Sequence, residues 1–137
     1  MSNTSAPTHV VYESTVTAVG DQVAAFVGHG LLIFFGDESP KELHDMSVRH
    51  RPTVAQEGPR VGDTVYLGEQ SFEVLAVGEV VADNLLNLGH LDLKADGMTT
   101  ARLPGDVCVA KQDLPLLAPG DDFRIVRGER RTTEEAR

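Results

Sequence analysis

Turn signals recur along this chain at intervals too short for long helices. Gly20-Asp21, Gly58-Pro59, Gly68-Glu69, Asp96-Gly97 and Pro104-Gly105 break it into short runs rich in valine, leucine and phenylalanine. Such runs suit strands of four to eight residues, and turns at this spacing favour a small barrel or sandwich. Strands are expected over His9–Val19, Leu31–Phe35, Thr64–Leu67, Phe72–Val77, His90–Ala95, Val107–Val109 and Phe123–Val126. Thr64–Leu67 and Phe72–Val77, joined by Gly68-Glu69-Gln70, read as a hairpin. Gln22 to Gly28 is open between a helical turn and a loop.

Two short helices interrupt the strands. Ser39-Pro40-Lys41-Glu42 has the form of a helix start, with Ser39 as cap, Pro40 in the first turn and Glu42 closing a capping box. Pro52 forbids its extension, and Thr53 to Arg60 reads as loop. Val81, Leu85 and Leu88 recur at helical spacing, Asp83-Asn84 suits the capping of exposed N–H groups, and Gly89 stands where a left-handed cap ends a helix. The chain is therefore expected to be mainly β: one small barrel-like domain over 8–127 with two short helices. Residues 1–7 and 128–137 are expected to be disordered tails.

The 137 residues carry a formal charge of −9, which disfavours nucleic acid and anionic membrane surfaces as partners. The longest apolar run, Leu31–Phe35, is far short of a membrane span, and the first ten residues have no signal-peptide pattern. A single cysteine, Cys108, cannot form an intrachain disulfide and suits a reducing compartment; the expected location is the cytoplasm. No P-loop, glycine fingerprint, GxSxG elbow or HExxH pair is present, and the five histidines are not spaced as zinc ligands. The expectation is a protein with neither metal nor organic cofactor.

Among the histidines, His50 stands between Arg49 and Arg51. A neutral imidazole is a competent nucleophile near pH 7, and flanking guanidinium groups can stabilise the oxygens of a transferring phosphoryl group. The plain alternative is a solvated basic run, its two arginines pointing opposite ways from a strand. Composition leaves both open. His90 is either a residue that shapes a pocket or orients another imidazole, or a satisfied structural side chain. His44 reads as a surface residue. Cys108, between two valines, reads as a strand residue without activation.

The run Ala76-Val77-Gly78, Ala82-Asp83-Asn84-Leu85, Leu88-Gly89-His90, Asp96-Gly97 and Pro104-Gly105 resembles the glucitol/sorbitol-specific IIA component of the phosphoenolpyruvate-dependent sugar phosphotransferase system. The resemblance extends more loosely from about Val10 to Val126. It implies a cytoplasmic phosphoryl carrier that takes a phosphoryl group on one histidine from the histidine phosphocarrier protein. The group then passes to the cysteine of a IIB partner, and the membrane-embedded IIC component delivers it to the sugar alcohol. In the family the phosphorylated histidine follows a segment that opens on Pro and contains an acidic-Leu pair. Here that segment is Pro40-Lys41-Glu42-Leu43, and the resemblance places the active position at His50. Arg49, Arg51 and His90 become candidates for phosphate or pocket support. Some members carry a second histidine where this chain has Pro52, which motivates the alternative of a non-catalytic regulatory or adaptor module with the same fold.

Overall fold

In a computed structural model, which describes residues 9–128, eight strands close into a barrel. They are β1 (His9–Val19), β2 (Leu31–Gly36), β3 (Val48–Ala55), β4 (Thr64–Leu67), β5 (Gln70–Val77), β6 (Leu91–Lys94), β7 (Asp106–Val109) and β8 (Asp122–Arg127). Their order around the barrel is β1-β3-β2-β6-β7-β5-β4-β8. The pairs β2–β3 and β6–β7 are parallel, and the other six are antiparallel. Closure leaves no strand edge running the length of the sheet. The expected tails lie outside the described residues, apart from Gly128.

Alternation of side chains does the sorting. On β6 Leu91 and Leu93 are buried while Asp92 and Lys94 are less so; on β5 Phe72, Val74 and Ala76 point inward. Phe34 and Phe123 stack across the interior with centroids 4.4 Å apart. Helix α2 (Val81–Leu88) lays Val81 and Leu85 on the barrel and ends at Gly89 in the left-handed conformation, φ 66°. Its entry is fixed by Gly78, where a Cβ would lie 2.1 Å from the Pro104 carbonyl oxygen. The Gly78 N–H reaches Asp106 O at 2.8 Å, and the Val80 N–H reaches Pro104 O at 3.0 Å. The Ala-Val-Gly and Pro-Gly motifs are thus two sides of one backbone contact.

The mainly β barrel and α2 agree with the sequence reading, while several local expectations need correction. A third short helix, α1 (Val23–Val27), occupies the ambiguous stretch. The segment after Pro40 is a 3₁₀ helix over Lys41–Met46 whose N-cap is Pro40 itself. That shift of one residue takes Ser39 out of capping register, so no capping box forms, and among the described residues the buried Ser39 Oγ has no hydrogen-bond partner. Asp83 and Asn84 lie inside the first turn of α2 behind an N-cap at Val80, and no side chain caps the helix. Most consequentially, Thr53–Ala55 belong to β3 rather than to a loop. Beyond His50, β3 has lost β2 as a neighbour and pairs only with β1, so Pro52 sits on a local edge where a missing N–H is tolerated.

Candidate functional site

His50 occupies the last inward-facing position of β3 that has a strand on both sides. It pairs with Val16 of β1 and with Gly36, the final residue of β2. Val48 and His50 point into the barrel, and everything after His50 on β3 is more exposed. Arg49 and Arg51 therefore share the outer face, opposite His50; they do not point opposite ways from each other.

The imidazole is fully buried, at 0% exposure, with both nitrogens engaged. Nε2 lies 2.7 Å from the Gly89 carbonyl oxygen and Nδ1 lies 2.6 Å from Ser14 Oγ. A carbonyl oxygen can only accept, so Nε2 carries the proton and the bare Nδ1 accepts from the Ser14 hydroxyl. Phe123, Phe34 and Tyr12 present their rings to the imidazole at steep interplanar angles, with centroids 5.5, 5.8 and 6.2 Å away. Burial pushes the His50 pKa below its ordinary 6.5, although the Gly89 carbonyl and the charge of Asp37 pull the other way. The result is a neutral, oriented imidazole near pH 7.

The Gly89 carbonyl reaches His50 because two glycines touch. A Cβ on Gly89 would lie 2.6 Å from Gly36 N and 3.2 Å from His50 Nε2. Only bare backbone lets the C-cap of α2 meet the end of β2 at this distance, and the positive φ also favours glycine.

This junction forms one wall of a cavity of about 790 Å³ lined by Phe35, Asp37, Pro40, Leu43, Leu85 and Leu88 as well as His50, Arg51 and Pro52. Asp37 accepts hydrogen bonds from Thr17 and, at 2.8 Å, from Arg51 Nη2. Burial raises the Asp37 pKa, but those two hydrogen bonds and the charges of Arg51 and Arg49 outweigh it and hold the carboxyl below its ordinary range. The Arg51 side chain is 74% exposed. Arg49 Nε is buried and has no hydrogen-bond partner among the described residues. A shallower depression of about 520 Å³, between Leu75–Glu79 and Thr99–Pro104, holds no histidine or cysteine.

Of the other candidates, His90 does not bond the His50 ring. It stacks on Phe35, centroids 4.2 Å apart, and its Nε2 bonds Asp92 Oδ1 at 3.0 Å. Its place is behind a residue that lines the cavity. His44 bonds Ser39 O at 3.1 Å within its own turn and is partly buried. Cys108 is buried in β7, its thiol pushed up to about 11 by burial and by the charges of Asp96 and Asp106. It is a poor nucleophile.

Sequence reasoning missed Ser14 and Asp37. Ser14 shares strand parity with Tyr12 and Val16, so it had to face inward, and a serine among core positions is a signal for a buried partner. Asp37 sits directly after β2, and nothing in the sequence ties it to Arg51.

The chain's residues 11–124 match the family model described as PTS system glucitol/sorbitol-specific IIA component. It is 33% identical over 116 residues to the PTS system glucitol/sorbitol-specific EIIA component of Shigella flexneri, covering 85% of this chain and 94% of that one. The protein of the same name from Escherichia coli K12 matches with the same identity and coverage. The fold also resembles the crystal structure of a PTS system IIA component from Enterococcus faecalis V583, with TM-score 0.70 and 21% identity, covering 81% of this chain and 96% of that one. With a match that runs from within β1, through α2 and into β8, the chain belongs to the glucitol/sorbitol-specific IIA component family of the phosphotransferase system.

Proposed function

We propose that this protein is a cytoplasmic phosphoryl carrier in which His50 accepts a phosphoryl group from the histidine phosphocarrier protein. It then yields that group to the cysteine of a IIB domain, serving IIC-dependent uptake and phosphorylation of glucitol or a related sugar alcohol. The observation that carries the reading is the placement of His50: a neutral imidazole at the barrel rim, lining the cavity beside Arg51. No organic cofactor is needed, since the donor already holds an activated phosphoryl group and the protein supplies position and electrostatics.

Transfer to Nε2 requires the Gly89 carbonyl to give way, because that oxygen occupies the line of approach at 2.7 Å. Once a phosphoryl group enters, Arg51 can exchange the Asp37 carboxylate for phosphate oxygens, a charge-assisted contact of the same kind. Arg49 lies next to the same carboxylate and adds to the local positive charge. Leu86 and Leu88, exposed on α2 beside the cavity, offer apolar surface to a partner protein. His90 supports the wall through Phe35.

The test is incubation with phosphoenolpyruvate and the two general phosphotransferase proteins. Acid-labile label on the wild type, and none on His50→Ala, is expected; an unlabelled wild type would refute the reading. A second reading, a non-catalytic regulatory or adaptor module, draws on the complete burial of His50 and the bonding of both its nitrogens. It requires that the cellular role survive His50→Ala.

A further inference from the structure

Ser14 is buried at 1% exposure in β1, beside a break in the β1–β3 register between Glu13 and Ser14. Its hydroxyl meets His50 Nδ1 at 2.6 Å, and the Gly89 carbonyl meets Nε2. Phenylalanine and tyrosine rings surround the rest of the imidazole. Among the described residues, the two polar contacts of this ring thus differ in kind. The carbonyl can only accept, whereas the hydroxyl can donate or accept.

That difference matters for phosphoryl transfer, because the resting ring has its lone pair on the wrong nitrogen. Nδ1 is bare but sealed by Ser14, while Nε2, on the cavity side, is protonated. Attack through Nε2 needs the other tautomer: as the Gly89 contact opens, Nε2 releases its proton to water and Nδ1 takes one from water, and the ring's charge is unchanged. The Nε2 lone pair then forms the N–P bond as the donor's own N–P bond breaks, its electron pair returning to the donor's ring nitrogen. The positive charge of the donor's phosphorylated ring thereby passes to the His50 ring, which keeps its Nδ1–H as an imidazolium beside the phosphoryl oxygens. Through this change Nδ1 passes from acceptor to donor. The group facing it must turn from donor to acceptor, which a hydroxyl does by rotating about one bond.

We propose that Ser14 is a positioning residue for His50, holding the ring in both tautomers and stabilising the Nδ1–H form that attacks and carries the phosphoryl group. The assignment rests on the carrier reading of His50 given above.

The experiment follows phosphorylation by phosphoenolpyruvate and the two general phosphotransferase proteins in wild type, Ser14→Ala and Ser14→Thr. Alongside it, ¹⁵N NMR of the His50 ring is recorded before and after phosphorylation. Ser14→Ala is expected to slow labelling by about 10-fold, the worth of one hydrogen bond in the transition state. Ser14→Thr, which keeps the hydroxyl, is expected to restore most of the rate. In the wild type, Nδ1 is expected to be unprotonated at rest and protonated in the phosphorylated chain, with the N–P bond at Nε2.

A folded Ser14→Ala that labels at the wild-type rate, or a Ser14→Thr no faster than Ser14→Ala, would overturn the assignment and leave the carrier reading standing. If Ser14→Ala does not fold, the wild-type spectra decide, and an Nδ1 that stays unprotonated after phosphorylation overturns it. An unlabelled wild type overturns the carrier reading and this assignment together.

Discussion

Replacing Gly89 by alanine combines two costs that a second glycine separates. Gly89 and Gly68 have nearly the same backbone, φ 66° and 63°, but a Cβ at Gly68 meets nothing within 4 Å. Gly68→Ala therefore reports the left-handed conformation alone, about 1 kcal/mol after allowance for the stiffer unfolded chain. At Gly89 the new methyl would lie 2.6 Å from Gly36 N and 2.9 Å from its Cα, well inside the 3.4 Å at which ordinary contact begins. Both neighbours are backbone, so the end of β2 or the cap of α2 must move by nearly an ångström. Overpacking of that kind adds about 1–3 kcal/mol, and any movement also disturbs the Gly89 carbonyl on His50. Urea denaturation should place Gly89→Ala about 1–3 kcal/mol below Gly68→Ala with unchanged m-values. Equal losses in the two variants would refute the tight Gly36–Gly89 contact.

Three further outcomes follow from charges and burial. Arg127 grips Asp63, Nε to Oδ1 at 3.1 Å and Nη2 to Oδ2 at 2.9 Å, and also bonds Gly58 O. Arg127→Met leaves the buried Asp63 carboxylate without its cation and should cost about 3 kcal/mol, about 10 °C in Tm by calorimetry; no shift would contradict the clasp. Because burial lowers the His50 pKa, the unfolded chain binds that proton more readily than the folded one. The stability this contributes is present above the unfolded value of 6.5 and is lost as pH falls through the folded pKa, so the urea midpoint should drop between pH 7 and pH 5. His50→Gln should flatten that slope; an unchanged slope would count against a depressed pKa. Finally, Cys108, buried with its thiol pushed up to about 11, should react with an aromatic disulfide reagent at pH 8 only as the chain unfolds, and rapid labelling of folded protein would contradict its placement.

The legible parts of the fold were those decided by neighbours in sequence. β1 and β4 fall where alternating apolar residues end at glycine, and Gly89 ends α2 because a cap needs a left-handed residue. The pairing of strands is another matter. Nothing in the periodicity of β2 shows that it lies between β3 and β6, because partners are chosen by barrel closure rather than local pattern. β3 itself was obscured at the point that matters. Arg49, Arg51 and Pro52 look like surface and loop, yet they occupy the outer face and the local edge of a strand whose inner face carries His50. His50 was singled out through family resemblance and spacing. Its burial, and its bonds to Ser14 and Gly89 from 36 and 39 residues away, could be found only once the chain was folded.

The most direct measurement is phosphorylation of the intact chain by phosphoenolpyruvate and the two general phosphotransferase proteins, with the modified residue located by mass spectrometry under alkaline conditions. A single phosphoryl group on His50, absent from His50→Ala although that variant keeps the barrel by circular dichroism, is the outcome expected of the carrier. Label on another residue, or none on a folded wild-type chain, would contradict it.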